Sequence, residues 1–374
     1  MTISIPKFSV VVASHGRAKL LVKLLESLNR ARSSTSAYVE ILIVDSTPAA
    51  EASAIHKACV ELDAILINGP LSVRCKRNLG ARSATGDWLF FVDSDCEVPR
   101  EIFNIYRRAF DNNPEFRAMA GPTVFRGEET RFTKLIQASS LLSPFRQPAD
   151  AKYLLWATTS NLLVHKDVFN ALNGFREDFP FRLGGDDTDF CLRLRDESHK
   201  IIAVPEAVCF HSWATWSRPA SVMRRSFRWG WMHSILLREH PRYRRIDAPS
   251  LPAHTLACIF IIFAGAALTR TIHLLLAPVL FVVLAVVLHA FLVSLRATNP
   301  RLAFLEDITL AIVELPFGFG RIVGSLSSGS LAGIIFRLDA DDVTAYTVFP
   351  ETARALWCDY LAFLCVTFFI GWTL

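Results

Sequence analysis

A chain of 374 residues is long enough for two domains, or for one domain with an appendage. Hydrophobic residues make up 52% and the mean hydropathy is +0.32, which excludes the composition of an average soluble protein. The net charge of +5 is too small to point to nucleic acid. The apolar excess is uneven: charges are frequent up to about Asp247, and long apolar runs follow.

Phe8 to Ala13 is a β-branched run that reads as a strand, with Ser14–His15–Gly16–Arg17 as the turn after it. Leu20, Leu21, Leu24, Leu25 and Leu28 then recur at helical spacing. Val39 to Val44 is a second strand ending at Asp45, Ala50 to Val60 is helix-like, and Ala64 to Ile67 is a third strand before the break at Asn68–Gly69–Pro70. A helix from about Ser72 to Ala84 carries Arg74, Lys76, Arg77 and Arg82. This is either a solvated face or a set with reach to a phosphate-bearing ligand. Trp88 to Val92 is a fourth strand, fully apolar, and it stops at Asp93–Ser94–Asp95. Strands alternating with helices predict an α/β domain with a parallel sheet. No G-x-G-x-x-G follows the first strand and no G-x-x-x-x-G-K-[ST] appears, which argues against dinucleotide and ATPase sites.

Ligands of open α/β sheets bind beyond the carboxyl ends of the strands, so Asp93 and Asp95 are expected at the mouth of a cleft. Strand alternation would turn Ser94 away and leave both carboxylates on one side, a set suited to Mg²⁺ or Mn²⁺ with substrate phosphates. Further on, Met119 to Phe125 reads as one strand and Ile201 to Val204 as another. Gly184–Gly185–Asp186–Asp187–Thr188–Asp189 opens a helix through Leu194. Helix capping explains one of these carboxylates. Three in four residues suggest a carboxylate placed to take a proton from an attacking hydroxyl. His211, after an apolar strand, is either structural or a metal ligand beside the D-x-D pair.

Ser221 to Arg245 is basic, with Trp229 and Trp231 interleaved. Arg225, Arg228 and Trp229 fit an anionic headgroup belt as well as a diphosphate or acceptor contact. Residues of about 251–295 then read as a helical hairpin long enough to span a bilayer. Those of about 302–326, which carry charges, read as an interfacial or buried helix, and about 357–374 as a last span. The expected division is 1–245 for the α/β domain and 246–374 for a helical membrane region. Clustered arginines predict an inner-membrane, multi-pass protein with its α/β domain in the cytoplasm. Met1 to Lys7 lacks a basic region followed by an apolar core, so no signal peptide is expected. Eight cysteines form no C-x-x-C pair, which argues for reduced thiols and against zinc.

Taken in order, several stretches resemble glycosyltransferase family 2, the inverting enzymes of GT-A fold. They are V-V-V-A-S-H-G-R, I-L-I-V-D, R-N-L-G-A-R-S-A-T-G-D-W-L-F-F-V-D-S-D, S-N-L-L-V with N-G-F-R-E-D-F, and G-G-D-D-T-D-F-C-L-R-L-R, spread over about Ser9 to Trp229. The resemblance implies a Rossmann-like, mostly parallel sheet and a nucleotide-diphosphate sugar donor, UDP-sugar favoured. It also implies a divalent metal, Mg²⁺ or Mn²⁺, and a lipid-linked or membrane-associated acceptor in cell-envelope glycan synthesis. By that resemblance Ala13, Ser14, Arg17 and Asp45 would bind the nucleoside. Asp93, Ser94 and Asp95 would position ribose, diphosphate and metal, with Arg77 and Asp186 also touching substrate. Asp187 would be the general base, and Asp95, Asp93 and His211 the metal ligands. Arg225, Arg228 and Trp229 resemble the Q-x-x-R-W of processive polysaccharide synthases, with Arg225 in place of Gln. His15–Gly16, Ser46 and Asp186 also depart from the usual residues. A processive synthase and a non-catalytic sugar-nucleotide binding protein are the alternatives.

Overall fold

The computed structural model describes residues 6–180, 184–247 and 315–341, with nothing said of the side chains of Ala138 and Ser140. The described residues fall into two compact units. One holds those up to Thr130, Leu142–Arg218 and 340–341; the other holds Arg131–Leu141 and those from Pro219 to Asp339.

The first unit begins as the sequence predicts. Strands β1 (Lys7–Ser14), β2 (Tyr38–Asp45), β3 (Ile65–Asn68) and β4 (Trp88–Phe91) pair in parallel in the order β3-β2-β1-β4. Helices α1 (Ala18–Arg32), α2 (Ser53–Glu61) and α3 (Val73–Ser83) make the crossovers. The chain moves outward from β1 to β3 and returns to the other side of β1 with β4, so the topological switch lies between β1 and β4. Period-two alternation then sorts the core. Phe8, Val10 and Val12 pack with Leu21, Leu24, Leu25 and Leu28 of α1, whereas Val11, Leu42, Leu89 and Phe91 pack with Ala81 of α3 and Phe190 and Leu194 further along. Both faces are covered, as parallel strands require.

Beyond β4 the sheet is mixed. The chain continues through the short strand β5 (Cys96–Glu97), which joins a second sheet, helix α4 (Ile102–Asn112), β6 (Ala118–Ala120) and β7 (Thr123–Arg126), and helices α5 (Arg131–Ala138), α6 (Ser143–Arg146) and α7 (Lys166–Ala171) follow in chain order. After β8 (Tyr153–Leu154), β9 (Leu162–His165) inserts antiparallel between β4 and β6, and β10 (Ile201–Ala203) pairs parallel with β6. The full order is β3-β2-β1-β4-β9-β6-β10-β8. The expected single strand from Met119 to Phe125 is corrected to two, in different sheets. Its break is Gly121–Pro122: a Cβ at Gly121 would lie 1.9 Å from the Ala207 carbonyl, and Pro122 has no N–H to give a ladder. Beyond the break, β7 pairs with β11 (Cys209–Ser212), which also pairs with β5.

In the second unit, helix α9 (Pro219–Glu239) and the helix of residues 315–327 accompany a two-stranded ribbon, Arg244–Ile246 with Phe336–Leu338. Arg321 is buried there. It bonds Asp247 at 2.9 Å and the carbonyls of Gly333 and Phe336, so this charge inside an apolar stretch is fully partnered. The expected hairpin (about 251–295) and last span (about 357–374) lie outside the described residues. Among the described residues no helix is long and apolar enough to cross a membrane.

Candidate active site

The site forms where the loops after β1, β2 and β4 meet at the carboxyl edge of the sheet. Ala13 and Ser14 close β1, and Ser14 is buried. The next loop is tied to the one after β2: the Gly16 amide donates to Thr47 Oγ1 at 2.7 Å, and the Ser46 amide donates to the Ser14 carbonyl at 3.3 Å. Asp45 receives the Thr47 amide and hydroxyl, each at 2.9 Å. Lys76, fully buried on α3, donates to the Ser14 carbonyl. Burial pushes its amine down to about 8, against the pull of Asp45.

The D-S-D segment is not the end of a strand. β4 stops at Phe91, and the Cys96 amide bonds the Asp93 carbonyl at 3.0 Å, so Asp93 to Cys96 form a turn. The expectation that alternation leaves both carboxylates on one side is therefore corrected. The turn sends them to different partners and buries Ser94. Asp93 receives Arg77 Nη2 at 2.8 Å. Asp95 is buried and receives Arg17 Nη1 and Thr215 Oγ1 on Oδ2, each at 2.9 Å, while its Oδ1 faces His211 Nε2 at 3.3 Å.

Arg77 joins this turn to a distant helix. Its second nitrogen donates to Asp186 at 3.0 Å. Asp186 opens α8 (Asp186–Asp196), preceded by Gly184 and Gly185 with φ of 82° and 78°, left-handed values that β-carbon-bearing residues rarely adopt. The three aspartates of this helix separate by function. Asp186 pairs with Arg77; Asp189 is fully buried and bonds Arg193 at 2.8 Å. Asp187 is half-buried and accepts the Thr188 amide at 2.9 Å. Burial, and then the neighbouring Asp186 charge, push Asp187 up to about 7, with Arg77 opposing the rise.

Asp95 and His211 are placed so that they could hold a cation. His211 Nδ1 lies 3.1 Å from the Ser212 carbonyl, which can only accept, so Nδ1 carries the proton. The other ring nitrogen, Nε2, faces Asp95 Oδ1 at 3.3 Å. A carboxylate oxygen and an imidazole nitrogen at this separation could hold one cation together. The ring is held by stacking on Phe125, centroids 4.7 Å apart, with Phe145 and Trp216 edge-on. Cys96 shares this cluster, but burial raises its thiol well above the usual range, so it stays protonated and is not a ligand for a hard ion. A carboxylate and an imidazole together are a donor set that a divalent ion can use.

Of the residues expected from sequence, Ala13, Ser14, Arg17, Asp45, Arg77, Asp93, Ser94, Asp95, Asp186, Asp187 and His211 all belong to the first unit. Arg225, Arg228 and Trp229 lie half-buried on α9 of the second. The solvated-face reading of α3 holds for Arg82 but fails for Arg74, Lys76 and Arg77, which are buried. Thr215 and the role of Lys76 were not legible. Thr215 sits in a one-turn 3-10 helix with no distinguishing pattern, and buried lysines look like surface ones in a string of letters.

Parts of this chain are similar to known proteins. Residues 9–172 match the profile of Glycosyl transferase family 2. The matched segment contains the loops bearing Arg17, Asp45, Arg77, Asp93 and Asp95, and ends before α8 and His211. A glycosyltransferase of Haemophilus influenzae is 25% identical over 198 residues, which are 50% of this chain and 62% of that protein. O-antigen biosynthesis protein RfbC of Myxococcus xanthus is 24% identical over 227 residues, 55% of this chain and 17% of that protein. The matches thus span under two thirds of either relative. Among solved structures, a mannosyltransferase from Pyrobaculum calidifontis, in complex with GDP-Man and Mn²⁺, aligns with a TM-score of 0.51. The alignment is 15% identical and covers 87% of this chain and 88% of that one. That likeness shows the fold, which is of the GT-A kind.

Proposed function

We propose that this chain is an inverting glycosyltransferase that moves a sugar from a nucleotide-diphosphate sugar to an acceptor hydroxyl. One observation carries the reading: the guanidinium of Arg77 holds Asp93 of the D-S-D turn and Asp186 of α8 together. A donor-binding turn and the carboxylate next to Asp186 therefore stand at one locus. Asp187 is poised near neutrality, as a general base needs to be. It takes the proton of the attacking hydroxyl, whose oxygen bonds to the anomeric carbon as the bond to the diphosphate oxygen breaks. A single displacement inverts that carbon. Asp95 and His211 would hold Mg²⁺ or Mn²⁺, which offsets charge developing on the leaving diphosphate. Buried Lys76 and Arg77 keep positive potential under the same edge.

Ala13, Ser14, Arg17 and Asp45 form the nucleoside end in this reading. UDP-sugars are the donors favoured by sequence. GDP-mannose is the second to test, because the P. calidifontis enzyme was solved with it. The acceptor is a lipid-linked or membrane-associated glycan of the cell envelope, a reading that the O-antigen protein among the relatives supports. In this reading the chain is anchored in the inner membrane with its α/β unit cytoplasmic, and Arg225, Arg228 and Trp229 contact diphosphate or acceptor.

The test is a screen of nucleotide sugars with Mn²⁺ or Mg²⁺ and membrane lipid extract, with mass analysis of products. One donor is expected to be consumed with a single sugar added per acceptor. Long polymer would favour the processive alternative. Donor binding by calorimetry with no turnover on any extract would overturn catalysis.

A further inference from the structure

Arg17 occupies the position of a counter-ion. Its Nη1 lies 2.9 Å from Asp95 Oδ2, and Asp95 is buried, whereas the Arg17 side chain is 45% exposed. The partner of the metal-site carboxylate is thus a long side chain free to move on its solvent side. On the other oxygen, His211 Nε2 lies 3.3 Å from Asp95 Oδ1, the pair that could hold a cation. A divalent ion seated there would stand a few ångströms from a guanidinium, a like-charge contact that disfavours both. The turn at Ser14–His15–Gly16, which carries Arg17, is also pinned to the loop after β2 through Gly16 and Thr47, so the base of the side chain is fixed while its tip can swing.

We infer that Arg17 is an exchangeable counter-cation: it neutralises Asp95 before loading, and gives way to the metal and turns to the donor's diphosphate as metal and nucleotide bind. The inference rests on the metal and donor reading above and adds a role to Arg17 beyond nucleoside contact. It ties metal affinity to nucleotide. Metal alone must displace Arg17, whereas metal arriving with a diphosphate offers Arg17 a new anion. The two bind cooperatively as a result.

The measurement is calorimetry on the full-length protein with MnCl₂ alone, and with UDP or GDP at saturating Mn²⁺. For Arg17→Gln, Mn²⁺ alone is expected to bind about three- to tenfold tighter than in the parent, and the diphosphate in the presence of Mn²⁺ about tenfold weaker. Arg17→Lys, which keeps the charge, is expected to retain parent-like Mn²⁺ affinity. Equal or weaker Mn²⁺ binding by Arg17→Gln, with its circular dichroism unchanged, would overturn the exchange. So would unchanged diphosphate affinity. Absence of Mn²⁺ binding by the parent and by Arg17→Gln, with and without UDP or GDP, would instead overturn the metal reading itself, and the exchange with it.

Discussion

Asp93 and Asp186, far apart in the chain, are held 2.8 Å and 3.0 Å from two nitrogens of one buried guanidinium. Arg77 thereby compensates two carboxylates that would otherwise repel, and it opposes the rise of Asp187 beside them. Removing it leaves two acids without their cation. Arg77→Gln is expected to lose about 3–5 kcal/mol of stability, read from urea unfolding at pH 7. Double substitution of Arg77 to Gln with Asp186 to Asn should recover part of that loss.

A base near neutrality makes the rate pH-dependent. Asp187 is a carboxylic acid raised toward 7, so its basic form dominates above that pH and is lost below it. Product formation should fall close to tenfold per pH unit below about 7. Asp187→Asn should lower the rate by about 10²–10⁴ without abolishing Mn²⁺ binding. A parent-like rate in a folded Asp187→Asn protein would remove it from the mechanism. Arg77→Lys should shift the acid limb, because the positive charge that holds Asp187 down moves.

Thr215 orients Asp95 through a hydroxyl hydrogen bond on the oxygen that Arg17 also touches. Outer partners of a ligand typically tune metal affinity by about 10–100-fold. Thr215→Val is therefore expected to weaken Mn²⁺ binding by about tenfold in calorimetry, the opposite sign to Arg17→Gln. His211→Ala should weaken it at least as much.

Glu40 shows how the fold depends on a buried acid away from the site. Burial would raise its carboxyl, but Ser9 Oγ and the amides of Thr85 and Gly86 together hold it below the usual value. A depressed carboxylate contributes stability above its unfolded pKa of about 4.5, and that contribution is lost as pH falls through the folded value. Glu40→Ala should cost about 2–4 kcal/mol at pH 7, and the difference from parent should shrink in acid-titrated thermal melts.

Gly121 marks the point where one expected strand becomes two. A methyl group there would meet the Ala207 carbonyl at 1.9 Å and Asn161 Nδ2 at 2.6 Å. Asn161 bridges the Pro122 and Ala207 carbonyls and takes the Tyr106 hydroxyl. Gly121→Ala should therefore destabilise by about 1–3 kcal/mol or more. Because the junction leads through β7 to β11, a lower Mn²⁺ affinity is also expected.

Much of this was written in local pattern. Apolar runs between turn residues marked β1 to β4, and leucine spacing marked α1, because a buried strand and an amphipathic helix each impose their own period on the sequence. The residues at the strand ends were legible for the same reason: Asp45 and Asp93–Ser94–Asp95 follow directly where the apolar run stops. The pairings were not. That Asp93 and Asp95 part company depends on a turn only the backbone defines. That Arg74, Lys76 and Arg77 are buried depends on which face of α3 meets the sheet and the segment around Phe175. Arg17 meets Asp95, and Arg77 meets Asp186, because strand order brings separate loops to one edge. Charge partners at long separation leave no period in a sequence, since they are chosen by topology and by the cost of leaving a buried charge alone.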